Sequence, residues 1–214
     1  RNIVISGTGA AHGIAAAGTY NGTYTLVSDD GSDIEIGSTT GLSKESAGLE
    51  IGTYSGSNSG INGSVVAAAA LVSGDITING VSVGASLAAD DTASISTKEQ
   101  SAISKAAAIN RVSDQTGVTA IAQNTQVLSG AVTNGAVASL TINGVSIADT
   151  AAAGTIGEKM ANLVSNINQK SAQTGVTAQV VDGDQYELIA ADGRNVVIGA
   201  TVTNTGLTGS ATTR

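Results

Sequence analysis

The strongest constraint on the fold of this chain is an internal duplication. Residues 76–83 (ITINGVSV) return as residues 140–147 (LTINGVSI), and six of the eight positions are identical. Residues 115–120 (QTGVTA) return unchanged as residues 173–178, and the segment between the blocks is six residues shorter in the second copy. Because the blocks keep their order, and a fixed repeat marks one structural unit, the sequence predicts the same supersecondary unit twice.

Each copy is predicted to fold as a hairpin, a helix and a strand. The Thr-Ile-Asn-Gly-Val-Ser run alternates apolar and polar residues around Asn-Gly, which suits a type I′ turn because both central residues take positive φ. Helices are expected near residues 98–114 and 156–172, where apolar residues recur at helical spacing. A strand is then expected to begin at Val118 and at Val176.

Start and stop signals bound both predicted helices. Thr97 with Gln100, and Thr155 with Glu158, have the spacing of a capping box, in which the two side chains accept hydrogen bonds from free backbone N–H groups. Glycine suits the left-handed conformation that commonly ends a helix. The predicted C-terminal caps are Gly117 and Gly175.

A further element relates the beginning of the chain to its end. Residues 24–36 (YTLVSDDGSDIEI) resemble residues 186–198 (YELIAADGRNVVI), and residues 1–5 (RNIVI) resemble the last five of that stretch. Since Asp-Gly between apolar runs is a strong hairpin signal, we interpret both Asp-Gly pairs as hairpin turns. The abrupt, strand-like start leads us to expect an excised fragment that opens on the last strand of an earlier unit.

The predicted fold class is α+β, with mostly antiparallel sheet. We expect a small β-rich module at residues 1–66 and a duplicated α+β module at residues 67–214, whose repeated units span about 74–133 and 138–198. The Gly-, Ser- and Asn-rich residues 55–63 are the predicted linker. The chain has no Phe, Trp, Pro or Cys and only four Tyr and one Met, so its core must be built from Ala, Val, Ile and Leu.

Composition argues against two classes of partner. The net charge is −8 and charged residues make up 12% of the chain, about half of average usage. Binding to nucleic acid or to an anionic membrane surface needs clustered Lys and Arg. No apolar run is long enough to cross a membrane as a helix. We therefore expect no nucleic-acid partner and no membrane partner.

We also expect no catalytic, cofactor or metal site. His12 is the only histidine, and without Cys or a second His it cannot complete a usual zinc site. The residue types of a Ser-His-Asp triad are present, but no Gly-x-Ser-x-Gly elbow occurs, because Asn58 stands at the centre of residues 56–60. Residues 7–9 (GTG) lack the third glycine of a dinucleotide-binding loop, since His12 occupies its position.

Acidic turns raise one metal hypothesis. Residues 29–33 (DDGSD) alternate acidic oxygens around a glycine, as a calcium loop can, but Gly31 comes too early for an EF-hand and no Glu closes the loop. A hairpin turn accounts for this segment fully. We interpret Asp90-Asp91 and residues 182–184 in the same way, as solvated turns.

The duplicated unit resembles the "flagellin IN" motif, which occurs in flagellins and in some hook-associated and filament-cap proteins of the bacterial flagellum. The resemblance covers residues 74–198 well and residues 1–36 in part. It is carried by residues 77–80 (TING), 115–120 (QTGVTA), 141–144 (TING), 166–168 (NIN), 173–178 (QTGVTA) and 191–196 (ADGRNV). The lack of Cys and Trp is also typical of flagellins.

The resemblance implies a structural protein, not an enzyme. In flagellins, terminal helices form the core of the filament and the central sequence forms outer domains that face the medium. This chain has no long heptad helices, so it is similar to the outer domains alone. We expect an extracellular location on the bacterial flagellum and a contribution to motility, filament surface character and antigenicity. Its expected partners are other flagellin subunits, mainly through segments missing here, and the chain itself is expected to be monomeric.

Three other functions are weighed against this one. The alternative is a filament-cap or hook-associated protein of the flagellum with an adhesive role in some bacteria, because the same motif occurs there. A surface adhesin or glycan-binding module is the next hypothesis, although only four Tyr can offer aromatic stacking faces. An enzyme comes last, because the sequence assembles no catalytic constellation.

Overall fold

The computed structural model describes residues 18–41, 46–56, 61–62, 69–137, 139–199 and 204–207. Several segments named above therefore lie outside the described residues: His12, Asn58, residues 1–5, residues 7–9 and much of the predicted linker. Within the described ranges the chain forms short helices and mostly antiparallel sheets, so the predicted α+β class is confirmed.

The strands of the described part pair into four antiparallel sheets. They are β1 (Gly18–Tyr20), β2 (Tyr24–Ser28), β3 (Ile34–Gly37), β4 (Gly52–Tyr54), β5 (Ile61–Asn62), β6 (Thr77–Ile78), β7 (Val81–Ser82), β8 (Val118–Ala122), β9 (Thr125–Leu128), β10 (Thr141–Ile142), β11 (Val145–Ser146), β12 (Thr177–Asp182), β13 (Gln185–Ala190) and β14 (Val196–Gly199). The sheet orders are β5-β2-β8, β4-β3-β6-β7, β12-β13-β9 and β1-β14-β10-β11.

The helices follow the two Asn-Gly hairpins. They are α1 (Ala102–Asn110), α2 (Ser113–Thr116), α3 (Ile156–Asn168) and α4 (Ser171–Thr174), with 3₁₀ helices at Ala88–Asp90 and Lys98–Gln100. Among the described residues, no helix is long and apolar enough to cross a membrane.

The four sheets form two units with the same architecture. We call β2 to β8 with α1 and α2 the first unit, and β9 to β14 with α3, α4 and β1 the second unit. Each has a three-stranded and a four-stranded sheet, in which β2 corresponds to β13, β3 to β14, β8 to β12, and hairpin β6-β7 to hairpin β10-β11. The segment β2-β3 opens the first unit, whereas β13-β14 closes the second. The two units are therefore circular permutations of each other.

The predicted boundary between residues 66 and 67 does not separate two cores. One cluster of buried apolar side chains joins Tyr24, before that boundary, to Ile78 and Ile109 after it. The reason is that β2 and β3 are completed by β8 and β6, which come later in the chain. A second cluster lies within residues 127–207. Strand β9 also departs from the predicted unit 74–133, because it pairs with β13 of the second unit.

The Asn-Gly hairpins form as predicted. Asn79 and Asn143 both have φ of 49°, and Gly80 and Gly144 have φ of 79° and 76°. Each pair connects two short antiparallel strands, β6 to β7 and β10 to β11. The left-handed backbone at both positions is what favours Asn followed by Gly.

The prediction of a hairpin at each Asp-Gly pair was wrong. Strands β2 and β3, on either side of Asp30-Gly31, belong to different sheets, and so do β13 and β14 on either side of Asp192-Gly193. Only the glycine of each pair has positive φ, 79° at Gly31 and 76° at Gly193, whereas a type I′ turn needs positive φ at both residues. The turn thus passes the chain from the three-stranded to the four-stranded sheet of each unit.

Helix boundaries follow the prediction closely in the second copy and less so in the first. Thr155 and Glu158 form the predicted capping box of α3, and Gly117 and Gly175 adopt the predicted left-handed conformation after α2 and α4. In the first copy, however, Thr97 makes no cap and has φ of 46°. Helix α1 begins four residues later, where the side chain of Ser101 accepts a hydrogen bond from the Ser104 N–H.

Candidate functional site

The Asn of each TING block joins the hairpin to the rest of its unit. Asn79 exchanges hydrogen bonds with Glu35, accepting from its N–H at Oδ1 (2.8 Å) and donating its own backbone N–H to the Glu35 carbonyl (2.9 Å). Its amide group also donates to the Thr116 carbonyl at the end of α2 (2.8 Å). Asn143 makes the same three contacts to Val197 and Thr174. The side chain thus ties hairpin, helix and neighbouring strand together.

An Ile-Asn pair near the end of the long helix also recurs in both units, as Ile109-Asn110 and Ile167-Asn168, and its Asn joins the helix to a strand. The Asn110 side chain donates to the Ala120 carbonyl (3.0 Å) and accepts from the Ala120 N–H (2.7 Å). Asn168 does the same to Ala178, at 2.9 and 2.7 Å. Ala120 and Ala178 lie on β8 and β12, which are edge strands. Each Asn therefore covers backbone groups that an edge strand would otherwise offer to another chain.

Two of the three acidic segments are exposed turns, although the turn at residues 29–33 is not the predicted hairpin. The Asp30 carboxylate accepts from the Ser32 N–H (2.9 Å) and the Ser28 hydroxyl (3.1 Å), and it is exposed. Asp182 accepts from the Gly183 N–H (2.6 Å). In the part of the chain that the structure describes, no three His, Cys, Asp or Glu side chains converge as metal ligands.

The interpretation of Asp90-Asp91 as a solvated turn was wrong for Asp91, because this residue is only 1% exposed. One carboxylate oxygen accepts from the N–H groups of Ala93 (2.8 Å) and Ser94 (2.9 Å). Burial opposes ionisation, but the Ser101 and Ser94 hydroxyls and these N–H groups outweigh it and lower the pKa of Asp91. The other oxygen, Oδ2, is buried and has no hydrogen-bond partner.

Asp91 belongs to the junction between the two units. The Ser94 hydroxyl next to it accepts from the backbone N–H of Asn195 (2.9 Å), which precedes β14 in the second unit. The Asn195 amide donates to the Ser96 and Thr97 carbonyls, at 3.3 and 3.1 Å. Three-dimensional folding alone brings these residues together, and no short-range sequence pattern predicts it.

Two lysines are fully buried, and their surroundings differ. Lys159 donates to the carbonyls of Thr133 (2.6 Å), Asn204 (3.2 Å) and Gly135. Lys105 Nζ has no hydrogen-bond partner, and burial lowers its pKa to about 7. In the alignment that matches Asn110 with Asn168, Lys105 takes the position of Leu163. Enclosure on all sides leaves Lys105 without access to a substrate.

A surface depression of about 380 Å³ lies beside α3. Its lining consists of Asp149, Thr150, Ala151, Ala152, Asn162, Ser165, Asn166 and Gln169. These are small, amide or hydroxyl side chains with a single carboxylate. They include no His, Lys or Cys that could act as a base or nucleophile beside Ser165 or Thr150.

No protein-family model matches this chain, and no curated protein sequence matches it.

Proposed function

We propose that this chain is a structural, non-enzymatic part of the bacterial flagellar filament, forming surface-exposed outer domains of the filament subunit. The observation that carries the proposal is the role of the repeated motif residues. The two TING asparagines and the two Ile-Asn asparagines make matching backbone contacts in both units. Motif residues that serve architecture in this way are expected of a structural module and not of an active site.

The path of the chain supports the same proposal. Strand β1, the first described, pairs antiparallel with β14, with Gly18 opposite Ile198 and Tyr20 opposite Val196. The first described strand therefore lies beside the last one, although the chain continues into the second core, where Leu207 is buried. An outer domain that projects from a filament core needs this arrangement, since both connections must return to the same core.

Edge protection is a third supporting observation. Asn110 and Asn168 cover backbone groups on β8 and β12, so neighbouring copies are discouraged from pairing edge to edge. In the proposed filament, contacts to other subunits are made mainly through segments outside this chain. The location that follows is extracellular, and the contribution is to motility, filament surface character and antigenicity.

Immunogold electron microscopy of cells that produce the protein tests the proposal. Antibodies raised against the purified chain should label the filament along its whole length. Labelling confined to the filament tip or to the hook junction would favour the filament-cap or hook-associated alternative. Gold particles on the cell body alone would contradict both flagellar proposals. Cells in which the gene is deleted provide the control for specificity.

A further inference from the structure

Unpartnered buried oxygen atoms concentrate at one place in the molecule. Six buried polar side-chain atoms of the described residues lack a hydrogen-bond partner. Four of them belong to residues at the junction of the two units, and we call these residues the junction cluster. The cluster consists of Asn21 (Oδ1), Asp91 (Oδ2), Thr125 (Oγ1) and Asn195 (Oδ1). The four side chains are at most 4% exposed, so bulk water does not satisfy them.

The four residues come from distant parts of the sequence, and contacts made by their neighbours link them at the junction of the two units. Asn21 directly follows Tyr20 and Asn195 directly precedes Val196, the two residues that form the last pair between β1 and β14. A β-carbon on Gly22, the next residue, would lie 2.5 Å from Thr125 Oγ1 and 3.4 Å from the β-carbon of Ala102.

Ser101 and Ser94 connect these residues to Asp91. Ala102 follows Ser101, whose hydroxyl acts on the Asp91 carboxylate. Ser94 then links Asp91 back to Asn195, through its N–H on one side and its hydroxyl on the other. The locus is therefore enclosed by both units.

We infer that the junction cluster binds a hard metal cation, with the side-chain oxygens of Asn21, Asp91, Thr125 and Asn195 as its protein ligands. Carboxylate, amide and hydroxyl oxygens are the donors that calcium and similar hard cations prefer, and the cluster offers no nitrogen or sulfur ligand. The bound cation would join the loop before α1 in the first unit to β9 and β14 in the second.

The number of hydrogen-bond acceptors in the cluster favours a cation over a single water molecule. The Asp91 carboxylate and the two Asn carbonyl oxygens can only accept, and one water molecule can donate to just two acceptors. The orientation of Asn195 is set by its amide group, which donates to Ser96 and Thr97, so its oxygen faces the unpartnered side. A calcium ion, in contrast, is coordinated by six to eight oxygens.

The charges around the cluster are consistent with this inference. Asp91 supplies one negative charge, and Arg194, which interacts with it electrostatically, is bound to Asp192 through Nη2 (2.6 Å) and Nε (2.8 Å). The charge of Asp91 is thus not neutralised by direct contact. With a single carboxylate the site is expected to be weak, with a dissociation constant for calcium on the order of 10⁻⁴ to 10⁻³ M. The same ligands also suit sodium, which balances one carboxylate.

Thermal unfolding of the complete 214-residue chain tests the inference. The protein is treated with a chelator and melted in choline chloride, in sodium chloride, and in choline chloride with increasing calcium chloride, all at one ionic strength. We expect the melting temperature to rise and saturate with calcium or with sodium, and the arm that responds identifies the cation. Equal melting temperatures in all three media would overturn the inference and leave water as the occupant.

Two variants and one control make the test specific to the cluster. Thr125→Val removes an unpartnered hydroxyl with almost no change of shape, so the variant should fold, and its dissociation constant for the cation should rise about tenfold or more. Asp91→Asn should abolish the response. Asp33→Asn changes the net charge equally at an exposed turn and should respond like the wild type. A cation response that Thr125→Val leaves unchanged would mean binding elsewhere on the acidic surface, and the inference would be wrong.

Discussion

At the scale of single residues, the most unusual feature is Lys105, a fully buried lysine without a partner. Its pKa falls from 10.5 to about 7 in the folded protein, so between these values the unfolded chain binds more protons. The free energy of unfolding should therefore rise with pH from about 7 to 10.5, by up to about 1.4 kcal/mol per pH unit. Lys105→Leu, which copies Leu163 of the second unit, should stabilise the protein at pH 7 and flatten this rise.

Urea unfolding at pH 7, 8, 9 and 10 measures both effects. The matched control is Lys159→Leu, which removes the donor from three carbonyl groups and should destabilise the protein by about 1–3 kcal/mol. A Lys105→Leu variant that is less stable than the wild type at pH 7 would show that the ammonium group has a partner in solution.

The TING asparagines provide the second prediction at this scale. Asn79→Ala and Asn143→Ala each place alanine at a φ of 49° and remove two side-chain hydrogen bonds. We expect each variant to lose about 2–4 kcal/mol of stability, because left-handed strain and unpaired backbone groups add. Asn162→Ala, on the exposed side of α3, is the control and should change little. Chemical denaturation measures all three, and a loss in only one TING variant would contradict the equivalence of the units.

At the scale of elements, the two helix starts behave differently although their sequence signals match. Thr155→Ala should destabilise α3 by about 1 kcal/mol, because the capping box there is formed. Gln100→Ala alters the other residue of the predicted box in the first copy, equivalent to Glu158, where no box forms, and should shift stability by less than about 0.5 kcal/mol. Differential scanning calorimetry can compare the two. Equal losses would mean that the first box also forms in solution.

The difference between the helix starts has a tertiary cause. The carbonyl and hydroxyl of Thr97 accept hydrogen bonds from Asn195 of the second unit. The conformation of the segment before α1 is therefore set by these contacts and not by the helix. Thr155 has no such contact and caps its helix. A local capping signal is therefore realised only where no competing long-range contact recruits the same residue.

At the scale of the whole molecule, the chain is expected to be monomeric. Its net charge of −8 repels other copies, and Asn side chains cover part of two sheet edges. Sedimentation velocity at micromolar concentration should give a single species of about 21 kDa, near the 20.8 kDa of the sequence. Asn168→Ala, which uncovers Ala178 on β12, is the informative variant. A stable wild-type dimer would contradict the prediction, whereas self-association of the variant alone would identify the protected edge.

Several features of this protein follow from the sequence by itself. The repeated blocks predicted two equivalent units, the Asn-Gly pairs predicted left-handed hairpins, and Gly117 and Gly175 predicted helix ends. All of these are confirmed. Turns and helix ends depend on a few neighbouring residues, and a repeated sequence folds into a repeated unit. Positive φ at a turn and the end of a helix are local properties, so the residues that need them can be recognised without knowledge of the rest of the chain.

Only the tertiary structure decided how the units are assembled and what lies between them. The Asp-Gly turns pass the chain between sheets, the core crosses the expected boundary after residue 66, and Asp91 is buried at the junction with Asn195. Each depends on which strands pair across tens of residues. Such pairing is set by the burial of apolar surface over the whole chain, and a short sequence pattern does not identify the distant strand with which it pairs.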